Sequence, residues 1–360
     1  MKICVFGTRG FPNVQGGVEK HCENLYPLLA SEDIHVTVFR RKPYVKSSEI
    51  KRAENLTFID LPSTRIKGFE AVFHSFLSTL YCMFLRPDIV HIHNIGPALF
   101  SPLLRLARLK IVLTYHSANY EHSKWGFFSR NLLKLSEKIA LSTADRIIFV
   151  NKVKREQFCA KILAKSVFIP NGIHSPVIIS DTEYLLSKGI KPEQYILAVG
   201  RITPEKGFDY LLKAFVAAKM RNYQLVIAGS VEGELSYSLL LNKLSSSDKI
   251  IFTGFITGKP LHELYSHAAL FVLPSYNEGM PIVLLEAMSY KLPILASDIL
   301  PNKSLELPEE SYFETGNEKM LAAKLKRING CKRVDYDNIE NYGLQQVATK
   351  TMSVFNTLNK

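Results

Sequence analysis

The chain has 360 residues, 47% hydrophobic and 22% charged, which is long for one ordinary domain and ample for two cores. That composition excludes wholesale disorder, and five scattered cysteines without a CxxC argue against a disulfide framework or a cysteine zinc site. The longest apolar runs fall short of the roughly 18–20 residues that cross a bilayer, and MKICVFGTRG lacks the order of a signal peptide, so a cytosolic chain is expected. KICVFG (2–7) is an apolar run ending in glycine, the loop TRGFPNVQGG comes next, and VEKHCENLYPLLA has helical apolar spacing: strand, glycine-rich loop, helix. Strands are expected at 34–41 and 56–62 and a helix at 69–85. A strand at 87–94, a helix over 97–108, a strand at 110–117, a helix at 131–144 and strands at 146–151 and 165–173 complete this half. At 194–200 the pattern restarts with QYILAVG, the loop RITPEKG and the helix FDYLLKAFVAAK, then strands at 223–229, 249–254, 270–275 and 292–297.

Strands alternating with helices mean parallel sheets covered on both faces. The fold class is therefore α/β: two doubly wound, Rossmann-like domains in tandem, meeting near 171–192. Such pairs are expected to bind ligand in an interdomain cleft, at the carboxyl ends of the strands. The net charge of +12 lies in the first half. Residues 1–170 hold 25 Lys and Arg against 13 Asp and Glu, while residues 171–360 hold 20 of each. This asymmetry suits an anionic partner: nucleic acid, an acidic membrane surface or a phosphorylated ligand.

Three loops carry the chemistry. Gly7, Gly10, Gly16 and Gly17 lie between a strand and a helix, where backbone N–H groups can approach an anion. The dinucleotide fingerprint GxGxxG is absent, which speaks against a nicotinamide or flavin enzyme. In the second half the loop from Gly200 to Gly207 places Arg201 and Lys206 five positions apart, where they can converge on a diphosphate. The third stretch is LPSYNEGMPIVLLEAM. Glu278 precedes Gly279, Met280 and Pro281, and Pro281 suits a helix start. Glu286 sits inside apolar VLLEAM, where a carboxylate is costly unless it meets a ligand or an Arg or Lys. Carboxylates suit vicinal hydroxyls, which donate two hydrogen bonds in matched geometry. His91 and His93 share a strand face and read as polar lining of the cleft rather than as metal ligands. Asp335 and Asp337 lie in a polar segment and read as surface residues.

On these residues the chain resembles a retaining, nucleotide-sugar-dependent glycosyltransferase of family 4, with the GT-B fold. The matching pieces are Gly16-Gly17-Val18-Glu19, Arg201 with Lys206, PNGI at 170–173, and Glu278 with Glu286 in PSxxEGxP. The resemblance implies an acceptor-binding domain over 1–172, a nucleotide-sugar domain over 173–340, and a final helix in 341–360 packing back on the first domain. Arg201 and Lys206 would neutralise the donor diphosphate, aided by the Gly17 N–H. Glu286 would hold the ribose, and Glu278 the donor sugar together with the N–H groups of Gly279 and Met280. His116 takes the place of the family's histidine beside the donor sugar, and the base would lie near Gly254 and Phe255. Gly16, Gly200 and Pro281 complete the donor set. His93, Glu121 and Trp125 are candidates on the acceptor side. At His174 the chain departs from the family, which often carries Asp there, and no role is assigned.

The resemblance further implies a front-face, retaining transfer without a protein nucleophile, a metal or a further cofactor. UDP-hexose is the first expected donor, with GDP-mannose and a dTDP-deoxysugar behind it. The acceptor is a glycan or a polyprenyl-diphosphate-linked saccharide of a bacterial surface polysaccharide such as O-antigen. Within the fold, a sugar-nucleotide epimerase or phosphorylase-like enzyme remains open. A nucleic-acid-binding protein is a remoter alternative, because no nucleic-acid motif is present. The aromatic stretch 68–85, flanked by Lys67 and Arg86, with Arg105, Arg108 and Lys110 beyond, suits peripheral binding to an anionic membrane at the inner face of the cell membrane, through residues 1–170.

Overall fold

The computed structural model describes residues 1–45, 54–64, 66, 69–118, 120, 126–232, 235–245, 247–327 and 332–359. They form two compact units, Met1–Gly172 with Tyr342–Lys360, and Ile173–Asn341. The first is built on β1 (Lys2–Phe6), β2 (His35–Arg41), β3 (Leu56–Leu61), β4 (Ile89–His93), β5 (Lys110–Tyr115), β6 (Arg146–Phe149) and β7 (Ser166–Phe168). The strand order is β3-β2-β1-β4-β5-β6-β7. The chain winds outward from β1, then crosses back so that β4 pairs parallel with β1, with Ile3 beside Ile89 and Phe6 beside Ile92. Winding thus reverses between β1 and β4, and ligands of doubly wound sheets bind at the carboxyl ends of such a reversal.

Alternation along these strands sends Ile3, Val5, Val36, Val38, Ile89 and Val112 to one face and Cys4, Phe6, Val90, Ile92, Ile111 and Leu113 to the other. Both faces are buried, which is why the strands read as continuous apolar runs. The first face is covered by the helix Gly17–Leu29 and by Leu344–Asn356, whose Val347, Ala348, Val354 and Phe355 join the core. On the second face lies a helix of reversed polarity, Phe69–Leu85. It turns His74, Ser75, Ser78, Thr79 and Cys82 inward, while Phe69, Phe76, Leu80, Tyr81 and Phe84 stay exposed, Phe84 at 84%. The hydroxyls of Ser75, Ser78 and Thr79 each donate to the carbonyl one turn earlier, so these three inward hydroxyls are satisfied within the helix.

The second unit has β8 (Tyr195–Val199), β9 (Gln224–Ala228), β10 (Ile250–Gly254), β11 (Leu270–Leu273), β12 (Ile294–Ser297) and β13 (Tyr312–Phe313) in the order β10-β9-β8-β11-β12-β13. Its winding reverses between β8 and β11, where Leu270 lies beside Ile196. The helix Phe208–Ala218 has ordinary polarity, burying Phe208, Leu211, Leu212 and Phe215.

Several elements differ from the expected ones. The helix expected over 97–108 is a tight turn, Gly96–Phe100, followed by Ser101–Leu106, with a proline opening each piece. Proline has no N–H to continue the preceding hydrogen-bond ladder. The helix expected from 131 begins at Phe127. The last strand of the first sheet is only Ser166–Phe168, because Pro170 cannot donate to a ladder. The two-residue β13 is too short to show a period.

Candidate functional site

In the second unit the loops after β8 and β11 leave the sheet on either side of its reversal. Lys206 ends the short turn Pro204–Lys206, and Gly207 follows at φ 66. A Cβ on Gly207 would stand 2.2 Å from the Pro274 carbonyl oxygen, so only glycine allows the loop to lie against the end of β11. That approach brings Lys206 Nζ to Glu278 Oε1 at 2.5 Å, with both side chains largely buried. Ser275 donates to the same carboxylate oxygen at 2.7 Å. The stem of Lys206 passes Gly200, where a Cβ would lie 3.9 Å from its Cδ.

Arg201 turns to other carboxylates, Glu232 at 3.0 Å and Glu205 at 3.8 Å. Glu286 lies within the helix Ile282–Ser289, whose N-cap is Pro281. Gly279 and Met280 lead directly into it, where first-turn amides lack intrahelical acceptors. Glu286, expected to meet a ligand or an Arg or Lys, has a tyrosine beside it: the Tyr265 hydroxyl donates to Oε2 at 3.0 Å. Gly254 closes β10 at φ 74, and Phe255 beside it is exposed. The loops thus bring Lys206, Arg201 and Glu278, and the helix that follows brings Glu286, to the same reversal of the sheet. Guanidinium and ammonium suit a diphosphate, and carboxylates suit hydroxyl pairs. Asp335, 77% exposed, meets Lys291 at 2.5 Å on the surface.

In the first unit, Gly16 is the N-cap of Gly17–Leu29. The Glu19 side chain folds back so closely that a Cβ on Gly16 would stand 2.0 Å from its Oε2. Gly17 has open space where its Cβ would be. Strand alternation puts His91 and His93 of β4 on the face of Ile89, and Thr114 and His116 on the face of Val112. The overlying helix adds His21, Cys22 and Tyr26. Tyr26 Oη lies 2.8 Å from His91 Nδ1 and 2.6 Å from His93 Nε2. His91 Nε2 meets Thr114 Oγ1 at 2.7 Å, and His93 Nδ1 meets His116 Nε2 at 2.9 Å.

Burial sets the charge of this group. It pushes His21 down to about 4 and His91 down to about 3, with His21 adding repulsion at His91. His93 and His116 also lie well below the usual imidazole range, first through burial and then through neighbouring imidazoles. All four rings are therefore neutral near pH 7. Ligand nitrogens of His21, His93 and His116 lie within 4.8 Å of one another, close enough to hold a transition-metal ion.

His93, expected as an acceptor contact, is 0% exposed and engages both ring nitrogens inside the unit. Apolar neighbours on both sides of β4 draw it into the core, behind His116. His91, read as lining of the cleft, is buried in the same way. His116 keeps 7% exposure. Glu121 and Trp125 lie outside the described residues. Tyr26, His21, Thr114, Glu232 and Tyr265 belong to no motif in the sequence, whereas Ser275 stands within PSxxEGxP. Tyr26 and His91 are 65 positions apart, and no local pattern marks such a pair.

Residues 15–175 match the family model described as glycosyltransferase family 4, and residues 182–345 the model described as glycosyl transferases group 1. The amylovoran biosynthesis glycosyltransferase AmsD of Erwinia amylovora is 23% identical over 360 residues, covering 95% of this chain and 96% of its own. Sucrose-phosphate synthase from Thermosynechococcus elongatus superposes with a TM-score of 0.80 at 21% identity, over 99% of this chain and 98% of that one. Anabaena HepE, in complex with UDP and glucose, superposes with a TM-score of 0.79 at 14% identity, over 99% and 100%.

Proposed function

This chain belongs to family 4 of the glycosyltransferases and has the GT-B fold, and we propose that it moves a hexose-type sugar, with retention, from a nucleoside-diphosphate sugar to a glycan or lipid-linked saccharide. The setting proposed is bacterial surface polysaccharide synthesis; AmsD of Erwinia amylovora is named for amylovoran biosynthesis. UDP is the first donor nucleotide to try, because HepE holds UDP and glucose.

The observation that carries the reading is Lys206 held against Glu278, whose carboxylate also accepts from Ser275, where β8 and β11 reverse. An incoming diphosphate would take over the charges of Lys206 and Arg201, which are now matched by Glu278 and Glu232. Glu278 would then be released to accept from hydroxyls of the sugar, and Glu286 from the ribose. Gly17 and His116 of the first unit are read as further donor contacts. As the bond from the anomeric carbon to the phosphate oxygen breaks, its electron pair goes to the diphosphate. The acceptor oxygen bonds to the same face of that carbon, and its proton leaves with the phosphate. Cations placed at the leaving group stabilise the charge that grows there. No protein nucleophile and no metal enter this scheme.

A thermal-shift panel of nucleotides and nucleotide sugars tests the reading, because a ligand that binds only the folded state raises its melting temperature. One nucleoside diphosphate and its sugar conjugate should raise it; no response to any member would refute the donor site. A product assay separates transfer to a glycan from epimerisation or release of free sugar.

The partner proposed for the first unit is an anionic membrane. Among the described residues no helix is long and apolar enough to cross a bilayer. The outward aromatic face of Phe69–Leu85, with Leu106 80% exposed and Arg105 and Arg108 nearby in sequence, suits shallow interfacial contact. Each basic residue near an anionic surface contributes roughly 1 kcal/mol, screened by salt. Binding to phosphatidylglycerol vesicles should weaken at high salt; equal binding to neutral vesicles would refute the assignment.

A further inference from the structure

We propose that Thr114, His91, Tyr26 and His93 form a single-file hydrogen-bond chain that sets the tautomer of His116, making them positioning residues for the imidazole that meets the transferred sugar. The proposal rests on the reading of His116 given above. The chain is unbranched: Thr114 Oγ1, His91 Nε2 and Nδ1, Tyr26 Oη, His93 Nε2 and Nδ1, His116 Nε2, with links of 2.7, 2.8, 2.6 and 2.9 Å.

A neutral imidazole has one N–H and one bare nitrogen, and a phenol has one hydrogen. Tyr26 can therefore donate to only one of its two histidines, and the other must donate to it. Suppose Tyr26 donates to His93 Nε2. Then His93 carries its hydrogen on Nδ1 and donates to His116 Nε2, which leaves the His116 hydrogen on Nδ1. On the other side His91 donates from Nδ1 to Tyr26, and its Nε2 accepts from Thr114. Reversing any one link reverses all of them and leaves His116 Nδ1 bare. Two settings exist, and in each His116 presents a different group to a ligand: a donor in one, an acceptor in the other.

Thr114 is 1% exposed and His91, His93 and Tyr26 are 0%, whereas His116 is 7%. A chain that ends blind in the core cannot carry protons through the protein. It can only fix which nitrogen of its one partly exposed ring holds the hydrogen. Cys22 Sγ, 3.6 Å from His93 Nε2, is too weak a partner to branch it.

The test is histidine-selective 15N labelling of the full chain at pH 7, read through long-range proton–nitrogen correlations. Thr114→Val removes the hydroxyl at the far end. His91 Nε2 is then left without a partner, and a buried bare nitrogen is tolerated better than a buried N–H without an acceptor. His91, His93 and His116 should all move to the Nδ1–H form, with the tautomer ratio at His116 changing about tenfold. Thr114→Ser should restore the wild-type resonances. Tyr26→Phe cuts the chain, so adding Thr114→Val to it should no longer affect His116. An unchanged His116 in Thr114→Val, or a change that persists in the double variant, would overturn the proposal.

A measurement on the unaltered protein guards against variants that fail to fold. UDP-glucose should shift His116, with His93 and His91 following, and UDP alone should not. A shift confined to His116 overturns the chain. If His116 is unmoved by UDP-glucose yet follows Thr114→Val, the coupling stands and the positioning role, together with the reading of His116, falls.

Discussion

The two units arm the ends of their sheets by opposite means. The second places full charges there, Lys206 and Arg201 against Glu278, Glu205 and Glu232, with side chains that keep between 9% and 25% exposure. The first places neutral imidazoles and a phenol almost wholly out of water. Charges that keep part of their surface in water exchange partners at less cost than wholly buried ones, because water screens the exchange in part. A neutral hydrogen-bond chain in a dry core cannot change one link without changing the rest. The charged loops of the second unit suit capture of a charged ligand, and the neutral chain of the first suits fixed orientation.

Lys206→Ala should lower turnover about a hundredfold, on the order of 3 kcal/mol at the barrier, with little loss of fold. Near-wild-type turnover with the matched donor would dismiss the clamp. Acid attacks the other unit. Buried imidazoles held near 4 and 3 bind protons less readily than the unfolded chain, whose histidines titrate near 6.5. Stability contributed by His21 and His91 is therefore full above about pH 6.5 and is lost as pH falls toward 4, on the order of 3 kcal/mol for each. Denaturant midpoints between pH 7 and 4.5 measure this. His21→Asn and His91→Asn variants should flatten the slope, and an unchanged slope would mean that these rings are charged in the folded state.

A smaller effect sharpens the division within the second unit. Glu286→Gln should weaken binding of the bare nucleoside diphosphate about tenfold, while Glu278→Gln should spare it and impair use of the complete donor. Calorimetry with the selected nucleotide decides, and equal losses would show that the two carboxylates do not divide ribose and sugar. The smallest effect expected is that of EDTA. With Arg201 and Lys206 compensating the diphosphate, chelation should leave turnover within about twofold. Loss of activity restored by magnesium or manganese would count against the site.

The second unit was the more legible of the two. Arg201 and Lys206 share one loop, and Glu278 and Glu286 share one loop and helix, so their chemistry lies in short segments. What could not be read was their pairing, because Lys206 and Glu278 meet across 72 positions through a loop held by Gly207. In the first unit, the alternation of His91 and His93 was visible, but not that both point inward. Burial there depends on Tyr26 and Phe355, which reach them from distant helices. The aromatic spacing of Phe69–Leu85 was equally compatible with packing and with exposure. Its serines and threonine decided the matter, because hydroxyls that bond back to their own helix can line a core as small residues.

The helix Leu344–Asn356 belongs to the first unit, although the whole second unit separates it from β7 in the chain. Its Val347, Ala348, Val354 and Phe355 cover the same sheet face as the helix that carries Tyr26. At roughly 5–20 residues per second, the ribosome needs on the order of ten seconds or more to make the intervening stretch of about 170 residues. Throughout that interval the nascent first unit displays an uncovered apolar strip beside His91. Completion of its core thus waits on translation of Leu344–Asn356, and a stop codon just ahead of that helix would injure the half of the enzyme made first.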